Sequence, residues 1–112
     1  MEYANRWGRR LDRGIAYAVK VLNEGGVETF ESCEGGDGHA FLEPTVRFHG
    51  GQSAGLLAVA RAFECGLPAA ELRRAWRVSN GELEGPFLEL TFSPRARLLE
   101  VQDQAESLGL IA

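Results

Sequence analysis

Between Glu31 and His39 the chain reads ESCEGGDGH, which gathers a thiol, three carboxylates, three glycines and an imidazole into nine residues. Three chemistries follow from those residue types. As a nucleophile, Cys33 needs a neighbour that favours the thiolate, and His39 or Arg47 can supply one. Glu31, Glu34 and Asp37 oppose this, because clustered carboxylates repel a further negative charge. As metal ligands, Cys33, His39 and His49 offer three donors, with Asp37, Glu34 or Cys65 as a fourth. The spacing Cys-x5-His-x9-His follows no zinc-finger pattern, so no metal and no other cofactor is expected. As paired carboxylates for general acid and base work, Glu31 and Glu34 fall on opposite sides of a continuing strand and do not converge.

The glycines give this cluster its shape. The chain has 14 of them among 112 residues, where average usage of ~7% gives about eight, and Gly35, Gly36 and Gly38 sit beside the reactive side chains. Such a loop lets the backbone bend sharply or approach a ligand closely. It lacks the Lys-Ser/Thr ending of a nucleotide P-loop, and extended chain follows it where a dinucleotide fingerprint needs a helix. A nest of successive N–H groups can still hold an anion.

Periodicity supplies the elements that position the loop. Trp7, Leu11, Ile15, Ala18 and Leu22 recur at helical spacing and predict a first helix from Asn5 to Glu24, ended by Gly25-Gly26. Val27 to Ser32 and Thr45 to His49 read as strands on either side of the glycine loop. Ser53 is a suitable N-cap for a second helix through Cys65, with Leu56, Ala60 and Phe63 on one face and Gly66 beyond it. A short helical turn is expected around Ala69 to Arg73. A hairpin follows through Asn80-Gly81, with strands around Trp76 to Val78 and Phe87 to Phe92. Ser93-Pro94 then opens a third helix carrying Leu98, Val101, Ala105 and Leu108. The order helix, strand, strand, helix, strand, strand, helix predicts an α+β fold with a four-stranded, mainly antiparallel sheet and helices packed on one face. One domain over residues 1–112 is expected, with residues 94–112 docked loosely.

Alternation assigns the faces of that sheet. Phe30, Val46, Phe48, Trp76, Val78, Leu88, Leu90 and Phe92 are expected to point at the helices, as are Trp7 and Phe63 from the helices themselves. Thr29, Glu31, Arg47, His49, Arg77, Glu89 and Thr91 then share the other face, with Cys33 at its edge and the outward aromatics Phe41 and Phe87 nearby. Two readings of this face compete. One is a shallow binding site rimmed by residues 33–39, and the other is a solvated sheet with cross-strand pairs such as Glu31 with Arg47.

Composition limits what such a site can serve. At 45% hydrophobic and 25% charged residues the chain is ordinary for a globular protein, and a net charge of −4 disfavours nonspecific nucleic-acid binding. The basic, aromatic segments of an RNA-recognition sheet are absent as well. Eleven arginines stand against the single Lys20, and Arg6, Arg9, Arg10 and Arg13 would cluster on the first helix as a solvated face or a small anion-binding patch. No apolar run approaches the ~18 residues that span a bilayer. Charged residues also interrupt the N-terminal segment where a secretory signal needs continuous apolar ones. A cytoplasmic protein with no membrane partner is expected, holding Cys33 and Cys65 as free thiols.

The run GVETFESCEGGDGHAFLEPTVRFHG, continued by WRVSNGELEGPFLELTF, resembles a group of small bacterial proteins often carried on phages and other mobile elements. The resemblance implies an accessory or host-interaction role and brings no transferable activity. A shorter stretch, Ser32-Cys33-x-Gly35 after a strand, is similar to one in the wybutosine-synthesis methyltransferase family, whose enzymes are much longer. The residues themselves favour a noncatalytic module for a small polar or anionic ligand, formed by Glu31, Cys33, Gly35, Gly36, Gly38, His39, Arg47 and His49. A thiol enzyme using Cys33 and His39 is the alternative reading. A third is a homodimer or host-protein interface on the open sheet face.

Overall fold

In the computed structural model, which describes residues 2–5 and 7–111, the chain opens with a short hairpin where helical spacing predicts a helix from Asn5. Strands β1 (Tyr3–Ala4) and β2 (Arg10–Leu11) pair antiparallel. The cause is local. The Asn5 side-chain oxygen accepts the N–H groups of Trp7 and Arg9 at 3.0 and 2.9 Å, and Gly8 takes a left-handed φ of 78°. Asparagine thereby offers the backbone a turn in competition with a helix. Helix α1 (Arg13–Glu24) starts only after Asp12, so Arg9, Arg10 and Arg13 do not share one helical face, and Arg6 lies outside the described residues.

The main sheet contains β3 (Thr29–Cys33), β4 (Thr45–Phe48), β5 (Ala69–Ser79) and β6 (Glu82–Phe92) in the order β3-β4-β6-β5, with every pair antiparallel. Helices α1, α2 (Gln52–Glu64) and α3 (Arg95–Ser107) pack against it, which gives the expected α+β fold with one additional small hairpin. The helical turn expected at Ala69 to Arg73 is instead the beginning of β5. Leu72 pairs with Leu90 and packs on the core while Glu71 and Arg73 are exposed, so the segment alternates as a strand once β6 lies beside it. Asn80 and Gly81 close the hairpin with φ of 53° and 76°, the left-handed pair that a tight type I′ turn requires.

Val46, Phe48, Leu88, Leu90 and Phe92 meet Ile15, Val19, Leu22 and Leu98 in one core, as alternation predicts. Five expected core residues lie elsewhere, one of them Phe30 on the outer face of the sheet. Trp76 has the parity of Leu72, but the long β5–β6 hairpin runs past the helices and leaves it 52% exposed, together with Val78 and Leu83. Trp7 is exposed because its segment is not helical, and Phe63 is exposed because α2 faces the sheet with Gly55, Ala58 and Ala62. Those small residues allow close approach. A Cβ on Gly55 would stand 2.8 Å from Leu72 Cδ2, so the bulk of Leu56 and Phe63 is turned outward.

Helix α3, expected to dock loosely, is seated along α1 by buried Leu98, Val101, Gln102 and Ala105. Gln102 Oε1 accepts the Tyr17 N–H at 2.8 Å, and Tyr3 donates its hydroxyl to Glu106 at 2.6 Å. Arg13 binds both Glu106 and Asp103, which ties the beginning of α1 to the end of α3. Among the described residues, no helix is long and apolar enough to cross a membrane.

Glu106 titrates differently in this setting. The hydrogen bonds from Arg13 first, and then from Tyr3, lower its pKa from the ordinary 4.5 to about 2. A depressed carboxylate contributes stability that is complete above its unfolded pKa and is lost as pH falls toward its folded one. Thermal unfolding should therefore show a Tm falling between pH 4.5 and about 2. In Glu106→Gln the Tm should be lower at neutral pH and less steeply dependent on pH in that window.

Candidate functional site

On the outer face of the sheet, Arg47 of β4 lies opposite Glu31 of β3 on one side and Glu89 of β6 on the other. Its Nη1 donates to Glu31 at 2.7 Å, and its Nε donates to Glu89 at 2.9 Å, with Nη2 2.7 Å from the same oxygen. The guanidinium carbon also lies 4.8 Å from the Phe41 ring centroid and 5.0 Å from that of Phe87. Two aromatic rings and two carboxylates thus occupy this arginine. Its side chain is only 18% exposed and that of Glu89 only 8%. The cross-strand pairing of Glu31 with Arg47 is the one that alternation predicts.

The charges continue along the face. Arg77 lies 3.7 Å from both Glu31 and Glu84, and Arg73 reaches Glu89 at 3.5 Å and Glu71 at 2.9 Å. Glu84, Arg77, Glu31, Arg47, Glu89, Arg73 and Glu71 therefore form an unbroken chain of alternating sign.

Beside that chain is a cleft of about 360 Å³, lined by Phe30, His49, Arg77, Glu84 and the Gly85-Pro86-Phe87 segment. Phe30 was expected in the core, with Thr29 outside, and the structure reverses them. The β3–β4 register shifts by one residue between Thr29 and Glu31, and this bulge buries Thr29 and turns Phe30 outward. The Phe30 ring then stacks on His49 at 4.4 Å and meets Phe87 edge-on at 5.5 Å. Gly85 itself has no room for a side chain, since a Cβ there would stand 3.0 Å from the Ala75 carbonyl oxygen and 3.2 Å from Trp76 Cδ1.

The glycine loop forms a separate centre. Gly35 has φ 77°, and a Cβ on it would stand 2.7 Å from the backbone of Glu43 and Pro44, so only glycine lets the two ends of the loop touch. The Gly36 N–H donates to the Leu42 carbonyl at 2.9 Å, and the His39 N–H donates to the Gly36 carbonyl at 3.2 Å. Cys33 is 6% exposed, and its sulfur accepts the Gly35 N–H at 3.5 Å. The Gly35 and Gly36 donors that an anion nest would use are thus already engaged within the loop.

Two residues that sequence reasoning passed over complete this centre. Asp12 precedes α1, but its carboxylate makes no cap within that helix. Instead its Oδ2 accepts the Glu34 N–H at 3.1 Å and lies 3.7 Å from His39 Nδ1. Arg95 of α3 donates to the Glu34 carbonyl at 3.1 Å and lies 3.5 Å from the Glu34 carboxylate. An aspartate before a helix signals an N-cap, and no local pattern reveals a partner 22 residues away. The eight residues expected in one site therefore divide. Glu31 and Arg47 belong to the charge chain, His49 to the cleft, and Cys33, Gly35, Gly36, Gly38 and His39 to the loop. Comparison with protein-family models, curated proteins and solved structures returns no match to this chain.

Two substitutions test these supports. Arg47→Ala leaves the buried Glu89 carboxylate only the 3.5 Å contact with Arg73 and should lower unfolding stability by roughly 3 kcal/mol in urea titration, as breaking a buried pair does. Gly35→Ala combines a left-handed backbone, worth ~1–2 kcal/mol, with a backbone clash. It should cost at least about 2 kcal/mol in the same measurement.

Proposed function

We propose that this chain is a noncatalytic binding module for a small polar or anionic ligand, seated in the cleft between β3, β4 and the β5–β6 hairpin. The contrast between two arginines supports this reading. Arg47 is closed by contacts of 2.7 Å on both sides, whereas Arg77 makes only 3.7 Å ion pairs, is 43% exposed and lines the cleft. Arg77 is accordingly the cation that an incoming carboxylate or phosphate can engage without breaking a short buried pair. Phe30, His49 and Phe87 offer ring surface to an apolar or planar part of the ligand, and Glu84 offers an acceptor to a donor group. A volume of about 360 Å³ suits a small molecule.

In this reading Glu31 and Arg47 set the polarity of the face and hold Phe87 and Phe41 in place, while Cys33 and His39 stand apart from the ligand. The thiol-enzyme reading has less support because the Cys33 sulfur is buried and presents little surface to a substrate. The homodimer or host-interface reading on the outer face has less support because that face is lined with paired charges. The exposed Trp76, by alternation, lies on the helix side.

A panel of aromatic and aliphatic carboxylates and phosphates, screened by thermal shift and quantified by calorimetry, tests the proposal. A binder should lose about tenfold to a hundredfold in affinity on Arg77→Ala, as expected for a charge-assisted contact of ~1.5–3 kcal/mol. It should weaken on His49→Ala and keep its affinity on Cys33→Ser. Equal binding by the wild type and Arg77→Ala, or a silent panel, would count against the cleft.

A further inference from the structure

The glycine loop brings together three donors of different kinds that the cleft does not use. Asp12 arrives from the residue before α1, Cys33 from the end of β3 and His39 from the far side of the loop. One carboxylate oxygen, the sulfur and one imidazole nitrogen all lie within 4.8 Å of one another. His49, the histidine that sequence spacing offers as a third donor, is held in the cleft against Phe30. We infer that Asp12, Cys33 and His39 form a binding site for a borderline divalent cation of the zinc class.

Donor chemistry supports this assignment. A thiolate, an imidazole and a carboxylate suit Zn²⁺, and three protein ligands leave the fourth tetrahedral position for water or a further ligand. Bond lengths of ~2.0–2.3 Å place tetrahedral ligand atoms roughly 3.3–3.8 Å apart. The Asp12–His39 contact of 3.7 Å already meets that spacing, and the sulfur, within 4.8 Å of both, needs a contraction of up to roughly 1 Å. His39 is well placed to make it, because it is exposed at the end of a loop whose Gly38 carries a φ of 81°.

The surroundings fit as well. The Gly35 N–H directed at the Cys33 sulfur and the Glu34 N–H directed at Asp12 Oδ2 orient two of the donors from outside, as the outer partners of metal ligands do. Glu34 is drawn away by Arg95 at 3.5 Å, so its carboxylate does not add a competing charge to the three donors. Burial of Cys33 shields the sulfur on one side, and the partly exposed Asp12 and His39 leave a path for the ion on the other. This inference is independent of the cleft.

Titration of the full chain with Co²⁺ tests it directly. The expected result is a near-ultraviolet sulfur-to-cobalt charge-transfer band with visible absorption of tetrahedral intensity, bleached by an equivalent of Zn²⁺. Cys33→Ser should abolish the charge-transfer band. His39→Ala and Asp12→Asn should weaken Zn²⁺ more than about a hundredfold, since losing even an outer partner costs ~10–100-fold. His49→Ala should leave the cobalt spectrum and the Zn²⁺ affinity as in the wild type. His39 is exposed, so its variant is expected to fold, and circular dichroism confirms that before the titration. A wild-type cobalt spectrum without the charge-transfer band, or Zn²⁺ affinity unchanged in folded His39→Ala, overturns the site.

Discussion

The ion pair of Arg47 with Glu89 is the contact on which the rest of the sheet is aligned. A carboxylate that is almost fully buried must be neutralised where it stands, and Arg47 does so from the neighbouring strand at 2.7 Å. The same guanidinium takes Glu31 from the next strand, and Arg73 approaches Glu89 from the strand beyond. Glu31, Arg47, Glu89 and Arg73 are direct partners in the pairings β3–β4, β4–β6 and β5–β6. One row of alternating charge therefore crosses all four strands. Shifting any strand by one residue would set like faces against unlike ones and send a charged side chain into the core, so the row and the core specify the same register.

Much of this arrangement could be read before the structure was known. The hydrophobic alternation of Val46, Phe48, Leu88, Leu90 and Phe92 identifies the inner face, and the pairing of Glu31 with Arg47 follows from it. The Asn80-Gly81 turn and the three helices are likewise local signals. The departures arise where a side chain or a neighbour overrides the local pattern. Asn5 captures two backbone N–H groups and replaces the first turns of a helix with a hairpin. A single bulge exchanges Thr29 and Phe30 between faces. In α2 the larger apolar residues suggest an inward stripe, but Gly55, Ala58 and Ala62 allow closer packing on Leu72 and Leu88, and the helix turns accordingly.

The candidate site was legible in its residue types and less so in its grouping. Sequence proximity gathers Glu31, Cys33, His39, Arg47 and His49 into one imagined surface, because residues close in sequence are easily taken to be close in space. The strand pleat and the bulge separate them into a charge row, an aromatic cleft and a loop. The residue that joins the loop to the helices is Asp12, which helical spacing places inside a helix running from Asn5 to Glu24 and which the structure puts just before α1. Its carboxylate makes no cap within α1 and holds the Glu34 N–H, so one side chain joins the start of that helix to the loop.

The charge row also bears on the rim of the sheet. β5 is, with β3, one of the two outer strands and runs for 11 residues, long enough to invite a second strand alongside. Arg73, Arg74 and Arg77 crowd its middle. A copy laid antiparallel about Ala75 would set Arg73 against Arg77, and a parallel copy in register would set each arginine against itself. The arginines that bind the face together thus discourage the sheet from growing sideways into a fibre.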